Sequence, residues 1–407
     1  MSLLPVAEAV ARIVAGVAPL PAETVPLANA AGRVLTADLH AMRTQPPFPA
    51  SAMDGYALRA ADATVGASLD VIGTAVAGRS FHGKVSQGEA VRIFTGAPVP
   101  EGADAVLIQE DADALPDSTI RVREAALPGR HIRSAGLDFK AGSVLLPAAA
   151  RLGMREVSLA AAMGYGAVSV RRRPVVAIIA TGDELVPPGE VPGPDQIVAS
   201  NAVGLAALVT SLGGESRDLG IVGDDTGAIA AVVGRAVALP ADVVVTLGGA
   251  SVGEHDLARK ALETAGMRLD FWKVAIRPGK PLMFGSIPGA AGRPAARVLG
   301  LPGNPVSALV GGLVFLAPLI AALLGTPRRD ITEPALLGTD VPANDAREDY
   351  VRAGLDATGD GLPRVTPLHP QDSSMLSTLM AADCLLIRPP HARAGRAGES
   401  CRILRLP

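Results

Sequence analysis

The residues best suited to chemistry lie in the second half of the chain. Residues 242–256 read DVVVTLGGASVGEHD: an apolar, β-branched run stops at Thr246, Gly248 and Gly249 open the backbone, and Ser251, Glu254 and Asp256 follow before a helical pattern begins at Leu257. Glycines between a strand and a helix leave backbone N–H groups bare, a receptor for phosphate or another oxyanion. Alone, the pair reads equally as a tight strand-to-helix turn. Lysine is scarce, and two of the five lysines, Lys273 and Lys280, flank Arg277 in WKVAIRPGKPLMFG. A strand through this segment would place Lys273 and Arg277 on one face, because side chains alternate with period two. With the Gly-Gly loop on the same edge, these cations point to an anion site and not merely to a solvated edge. Acids fall in loops too: Asp183-Glu184, Asp224-Asp225 and Glu254/Asp256. Mg²⁺ is typically held by one or two carboxylates together with substrate phosphates. Acids beside an anion site therefore suggest a metal-bridged phosphate ester.

Such groups need a scaffold that gathers them. From Val175 onward, strand-like runs (VVAIIAT, RDLGIV, DVVVTLG, DFWKVAI, ARVLGLP) are separated by helical ones (NAVGLAALVTSLG, GAIAAVVGRAVAL, LARKALETAG). This alternation predicts a largely parallel sheet with helices on both faces. Ligands bind beyond the carboxyl ends of strands in such sheets. TGDEL (181–185), GDD (223–225), GGASVGEHD and LPGNP (301–305) are thereby predicted to share one edge. Upstream, residues 6–16 read as a helix and Arg33–His40 as a strand. Short β-like runs between about 56 and 135 (LDVIGTAV, EAVRIF, ADAVLIQ, STIRVRE) predict a small all-β domain. After Thr326 the pattern is β-like again.

Composition narrows the classes. A chain of 407 residues suggests roughly three domains, and 49% apolar residues can fill several cores. With 40 acids against 37 bases, nothing calls for a nucleic-acid partner. Cys384 and Cys401 are too few and too far apart for a zinc site or a disulfide framework. The amino-terminal MSLLPVAEAVARIVAGV lacks a basic flank and contains Glu8, which argues against a signal peptide and for the reducing cytoplasm. VSALVGGLVFLAPLIAALLG, 306–325, is long enough to span a bilayer. It contains Pro318 and Gly311-Gly312, follows a polar loop and lacks flanking aromatics, so it is read as a buried helix and no membrane partner is expected. The phosphate-loop and G-x-G-x-x-G patterns are missing.

In order, PPFPASAMDGYAL, FTGAPVPEGADAV, ATGDEL, SNAVGL, GGASVGEHD, RPGKPLMFG and LPGNPVSAL resemble the molybdopterin molybdenumtransferase family, which includes MoeA and the E domains of gephyrin and plant Cnx proteins. The resemblance runs from about residue 5 to the carboxyl terminus. It implies a multidomain α/β plus β protein with four regions. These are a discontinuous linker domain (1–45 and 139–173), a β-rich domain inserted in it (46–138), a central αβα molybdopterin-binding domain (174–326) and a small β-barrel-like domain (327–407). It also implies a homodimer whose site is shared between subunits. The implied reaction inserts molybdate into adenylylated molybdopterin, with Mg²⁺-dependent release of AMP. Molybdopterin adenylyltransferase and downstream cofactor-maturation proteins are the implied partners.

Residue by residue, the resemblance gives Glu184, Asp256, Asp54 and Lys273 catalytic roles. It assigns substrate contacts to Thr95, Thr181, Gly182, Asp183, Gly248, Gly249, Ser251, Arg277, Lys280, Pro302, Ser307, Arg352 and Ser373. The metal is assigned to Asp138, Asp224 and Asp256, with Asp54 and Thr95 supplied by the dimer partner. The chain departs from the family pattern at two places: Gly136-Leu137-Asp138 replaces a frequent Gly-Glu-Asp, and Pro49-Ala50 replaces a common Asp-Asn. Arg352 is expected either to donate to molybdate at a domain seam or to pair with Glu348 or Asp349 on an exposed strand. Molybdopterin adenylyltransferase and a non-catalytic scaffold are the competing readings, and the sequence does not separate molybdate from tungstate.

Overall fold

The computed structural model describes residues 3–248, 257–289, 293–327, 330–356 and 361–407. The chain divides into two compact units, one of Met1–Glu23, Gly32–Thr36 and Ser169–Pro407, the other of Thr24–Ala31 and Ala37–Val168.

In the first unit a six-stranded sheet runs in the order Glu215–Val222, Val175–Thr181, Val243–Leu247, Ala296–Leu301, Met283–Ile287, Arg268–Trp272. The first four strands are mutually parallel and the last two antiparallel. Alternation sorts the side chains. Val176, Ile178, Val243 and Val245 pack with Leu205, Val209, Phe315 and Leu319 on one face. Ala177, Ile179 and Val244 pack with Ile229, Val233, Ala261 and Leu262 on the other. Burial on both faces is why these strands read as unbroken apolar runs. The expected parallel sheet with helices on both faces is present.

The long apolar segment forms a helix, Pro305–Leu323, with a π-helical turn at Gly312–Leu316. Its length and composition alone would allow it to cross a membrane. Here Val306, Val310, Phe315, Leu316, Leu319 and Ile320 are buried in the core, which accounts for the lack of charge.

Five strands close the carboxyl-terminal region into a barrel: Glu348–Asp356, Arg364–Pro367, Thr332–Leu337, Ser400–Arg405 and Cys384–Arg388, the last returning to the first. Ala335, Leu337, Val365, Leu386 and Ile403 fill it. Ile276–Arg277 lies parallel to Glu348–Asp349 and joins this sheet.

The second unit has its own six-stranded sheet, ordered Ala105–Ile108, Gly55–Leu58, Glu89–Ile93, Ser68–Ala75, Thr119–Val122, Ala112–Leu115. It contains all four β-like runs read from the sequence.

Two expected strands need correction. Arg33–His40 is not one strand: Leu35 makes an isolated bridge to Val170 and only Leu39–His40 is extended in a ladder. The chain passes from the first unit to the second between Thr36 and Ala37, so no single ladder runs through it. DFWKVAI is also broken. The sheet strand stops at Trp272, Lys273 has a φ of 80°, and Ile276–Arg277 belongs to the barrel. A left-handed residue cannot continue an extended ladder, so Lys273 and Arg277 do not share a strand face.

Candidate active site

The carboxyl ends of the four parallel strands bring three predicted loops and the start of a fourth together. Gly248, just past Leu247, has a φ of 91°, and its N–H donates to the Leu301 carbonyl at 3.1 Å. A Cβ there would lie 2.6 Å from the Thr181 carbonyl oxygen and 3.1 Å from Thr181 Oγ1. Positive φ and close approach both demand glycine. Thr181 is buried and donates from Oγ1 to the Leu247 carbonyl at 3.2 Å, tying the first loop to the third. Asn201, opening the next helix, donates from Nδ2 to the Gly303 carbonyl at 2.6 Å.

The acids on these loops differ in what they do. Asp183 Oδ1 accepts from the Asp224 N–H at 3.1 Å and staples two loops together. Asp225 caps the Thr226–Ala238 helix by accepting from the Ala228 N–H at 2.7 Å. Glu184 folds over Gly182, where a Cβ would fall 2.2 Å from Glu184 Oε2. Glu184 and Asp224 are exposed, and among the described residues their carboxylates accept no hydrogen bond. Gly249, Ser251, Glu254 and Asp256 lie outside the described residues.

The cations lie on the 273–280 segment that follows Trp272. Lys273 N–H donates to the Leu282 carbonyl at 2.9 Å, and its ammonium lies 4.2 Å from the ring centre of Trp272, the chain's one tryptophan. Arg259 covers the same ring at 5.1 Å. Lys280 is exposed, with no ion pair among the described residues. Arg277 is engaged: Nη1 donates to Asp349 Oδ2 at 3.0 Å, and Nη2 to Asp345. Burial pushes the Asp349 carboxyl above its ordinary range, with the Arg277 charge opposing it. Hydrogen bonds from Arg347 hold the Asp345 carboxyl down at about 2.

Within the first unit, the Arg-Pro-Gly-Lys turn and the barrel meet the LPGNP loop. A Cβ on Gly279 would lie 3.6 Å from Pro302 Cγ and from Ser307 Cβ. Asn304 Nδ2 donates to Ser373 Oγ at 2.8 Å, and the Val306 N–H donates to the Ser373 carbonyl at 3.0 Å. Thus Pro302, Ser307, Ser373 and the 277–280 turn are gathered in one place.

Arg352 does not pair with Glu348 or Asp349 on an exposed strand. It is only 2% exposed, donates from Nε to Gln371 Oε1 at 3.2 Å, and donates from Nη1 to the carbonyls of Asp372 and Met375 at 2.8 and 3.2 Å. Gln371 Nε2 in turn donates to the Arg352 carbonyl at 2.8 Å. Glu348 accepts instead from the Tyr350 hydroxyl at 2.6 Å, and Asp349 from Arg277. Arg352 therefore shapes the loop that carries Ser373. Gln371 and Asn304 were not singled out in the sequence. The polar run His-Pro-Gln-Asp-Ser-Ser just past a strand was the available signal.

On the second unit, Asp54 Oδ1 accepts from both the N–H and the Oγ1 of Thr95, each at 2.8 Å. Those bonds hold its carboxyl below the ordinary range, keeping it ionised. Asp138 is exposed beside Leu137, which is 62% exposed. Among the described residues no three His, Cys, Asp or Glu side chains form a metal cluster.

Residues 4–164 match the MoeA N-terminal region (domain I and II), 177–322 a probable molybdopterin binding domain, and 334–406 the MoeA C-terminal region (domain IV). The molybdopterin molybdenumtransferase of Haemophilus influenzae is 35% identical over 391 residues, covering 95% of this chain and 94% of that protein. Molybdopterin molybdenumtransferase 2 of Mycobacterium tuberculosis is 36% identical over 394 residues, covering 93% and 94%. Among solved structures, the molybdopterin biosynthesis MoeA protein of Pyrococcus horikoshii superposes with a TM-score of 0.81 at 29% identity, covering 100% of both chains.

Proposed function

Since this chain belongs to the MoeA family of molybdopterin molybdenumtransferases, we propose that it inserts molybdate into the dithiolene of adenylylated molybdopterin and releases AMP, a late step of molybdenum cofactor synthesis. The observation that carries this reading is the gathering of the 277–280 turn, Pro302–Ser307 and Ser373 beside the sheet edge that carries Gly248 and Glu184.

Each group has a task that its surroundings support. The Gly248-Gly249 loop is the proposed receptor for the phosphate end of the substrate, since the N–H groups of Gly182 and Gly248 themselves donate to the Val222 and Leu301 carbonyls. Lys273 and Lys280 offset the negative charge of a phosphoanhydride and of a doubly charged oxyanion. Ser307 and Ser373 add neutral donors without excess positive charge. Arg352 acts through Gln371 and the 371–375 loop, presenting Ser373.

Exposed carboxylates are hard oxygen donors, so Glu184 and Asp224 would suit Mg²⁺. Asp224 and Asp256 are the proposed metal ligands on the first unit, and Asp138 is a separate candidate on the second. Mg²⁺ bound there would neutralise charge on the leaving phosphate. We place the reaction in the cytoplasm, in a homodimer in which Asp54 and Thr95 of each subunit serve the partner's cleft. The Thr95 bonds keep Asp54 ionised for that purpose.

The test is direct. Purified chain incubated with adenylylated molybdopterin and Mg²⁺ should release AMP when molybdate is added. A folded protein that binds the substrate yet releases no AMP would reject the enzyme reading.

A further inference from the structure

Arg277, offered to the oxyanion in the reading above, is already occupied by two carboxylates, and the two are held differently. Asp349 is the inner partner: its side chain is 11% exposed, and among the described residues its buried Oδ1 has no hydrogen bond. A buried carboxylate with one bare oxygen depends on its remaining cation, so the Nη1 contact at 3.0 Å is the one that stays. Asp345 is the outer partner, with 49% of its side chain exposed. It receives Arg277 Nη2 on Oδ2, and Arg347 Nη2 donates to the same oxygen at 3.0 Å. The Arg347 backbone N–H donates to the other oxygen, Oδ1, at 2.9 Å.

The two arginines and two aspartates that contact one another cancel in charge, with Arg388 a further cation acting on Asp349. Arg277 therefore attracts an incoming anion more strongly once one carboxylate lets go. Asp345 can let go at little cost, because Arg347 already holds it.

We infer that Asp345 is a competing anion at the molybdate site: it occupies Arg277 Nη2 in the empty state, yields that edge to the oxyanion, and is retained by Arg347. Asp349 keeps the guanidinium plane fixed throughout. The inference rests on Arg277 being an oxyanion contact. It makes Asp345 and Arg347, neither of which touches substrate, the residues that set the concentration of molybdate the site responds to.

The probe is molybdate, measured by equilibrium dialysis against the full chain saturated with adenylylated molybdopterin in the absence of Mg²⁺. Asp345→Asn keeps an acceptor for the Arg347 N–H but loses the charge. It should tighten molybdate binding by about threefold to fivefold, the scale of an exposed ion pair. Arg347→Gln removes the residue that retains Asp345 and should weaken binding by a similar factor. Arg277→Gln should weaken binding, and Asp345→Asn placed on that background should give no gain. A gain that persists without Arg277 would mean that Asp345 acts only through the general field, and the competition would be rejected. Unchanged binding in Asp345→Asn, with Arg277→Gln still weakened, would also reject it while leaving the oxyanion site standing. Unchanged binding in Arg277→Gln would remove the premise itself.

Discussion

Asn304 stands at the amino-terminal cap of the long Pro305–Leu323 helix but does not cap it; its Nδ2 reaches 2.8 Å to Ser373 Oγ on the loop that precedes the barrel's Cys384–Arg388 strand. Asparagine at this position ordinarily accepts from the first free N–H groups of its own helix. Here the side chain is spent on joining the sheet edge to the barrel, and the Val306 N–H is satisfied by the Ser373 carbonyl instead.

That bond should be measurable in isolation. Asn304→Ala and Ser373→Ala should each destabilise the first unit, and the double variant should lose less than their sum. A coupling energy of roughly 0.5–1.5 kcal/mol is expected for one partly exposed hydrogen bond. Urea unfolding of the four proteins gives it, and strict additivity would mean that the contact contributes nothing.

Arg352→Ala should be severely destabilising, by about 2–4 kcal/mol, because Gln371 and two loop carbonyls lose a buried donor. Gln371→Ala should lower both stability and activity in the same direction. An unchanged molybdate requirement in the folded Gln371→Ala variant would contradict a positioning role for this pair.

Two neighbouring glycines should respond differently to the same change. Gly248→Ala places a Cβ 2.6 Å from the Thr181 carbonyl at a positive φ and should cost on the order of 1–3 kcal/mol. At Gly303 the nearest atom to a Cβ among the described residues is 3.6 Å away, and Gly303→Ala should stay within about 1 kcal/mol of the parent. Thermal unfolding separates them, and equal losses would show that the tight approach at Gly248 is not what fixes it.

Acid stability should carry the mark of Asp345. Its folded-state pKa is lowered to about 2, below the unfolded value near 4, so its contribution is present above about pH 4 and is lost as pH falls through 2. The advantage of the parent over Asp345→Asn in urea titrations should therefore shrink between pH 5 and pH 2. Asp349 shifts the other way, its contribution to instability easing as pH falls, so the difference between the variants, not the raw curve, is the readout. A constant difference across that range would contradict the ion-pair assignment.

The parallel sheet was legible because VVAIIAT and DVVVTLG are apolar on both faces, which strands buried between helix layers require. The site edge was legible for the same reason: once the strands are parallel, their carboxyl-terminal loops must lie together. The cationic segment was not. Lys273 adopts a left-handed conformation that a non-glycine residue rarely takes, and no local pattern in WKVAIRPGK announces the break. The Met283–Ile287 strand was missed because glycine and proline crowd it, yet its ladder to Ala296–Leu301 is regular. The burial of Arg352 was not legible because its partners, Gln371 and the Asp372 and Met375 carbonyls, lie some twenty residues away and follow from the barrel's closure, not from strand periodicity.

The central claim is that the oxyanion is received where the 277–280 turn, the Pro302–Ser307 loop and Ser373 meet. AMP release from adenylylated molybdopterin, followed as molybdate is raised, tests it with the Ser307→Ala/Ser373→Ala double variant beside the parent. The half-saturating molybdate concentration should rise at least about tenfold, as expected for losing two donors to a charged group. The affinity for adenylylated molybdopterin should hold. An unchanged molybdate requirement in the folded double variant, or an equal loss of pterin affinity, would contradict the account.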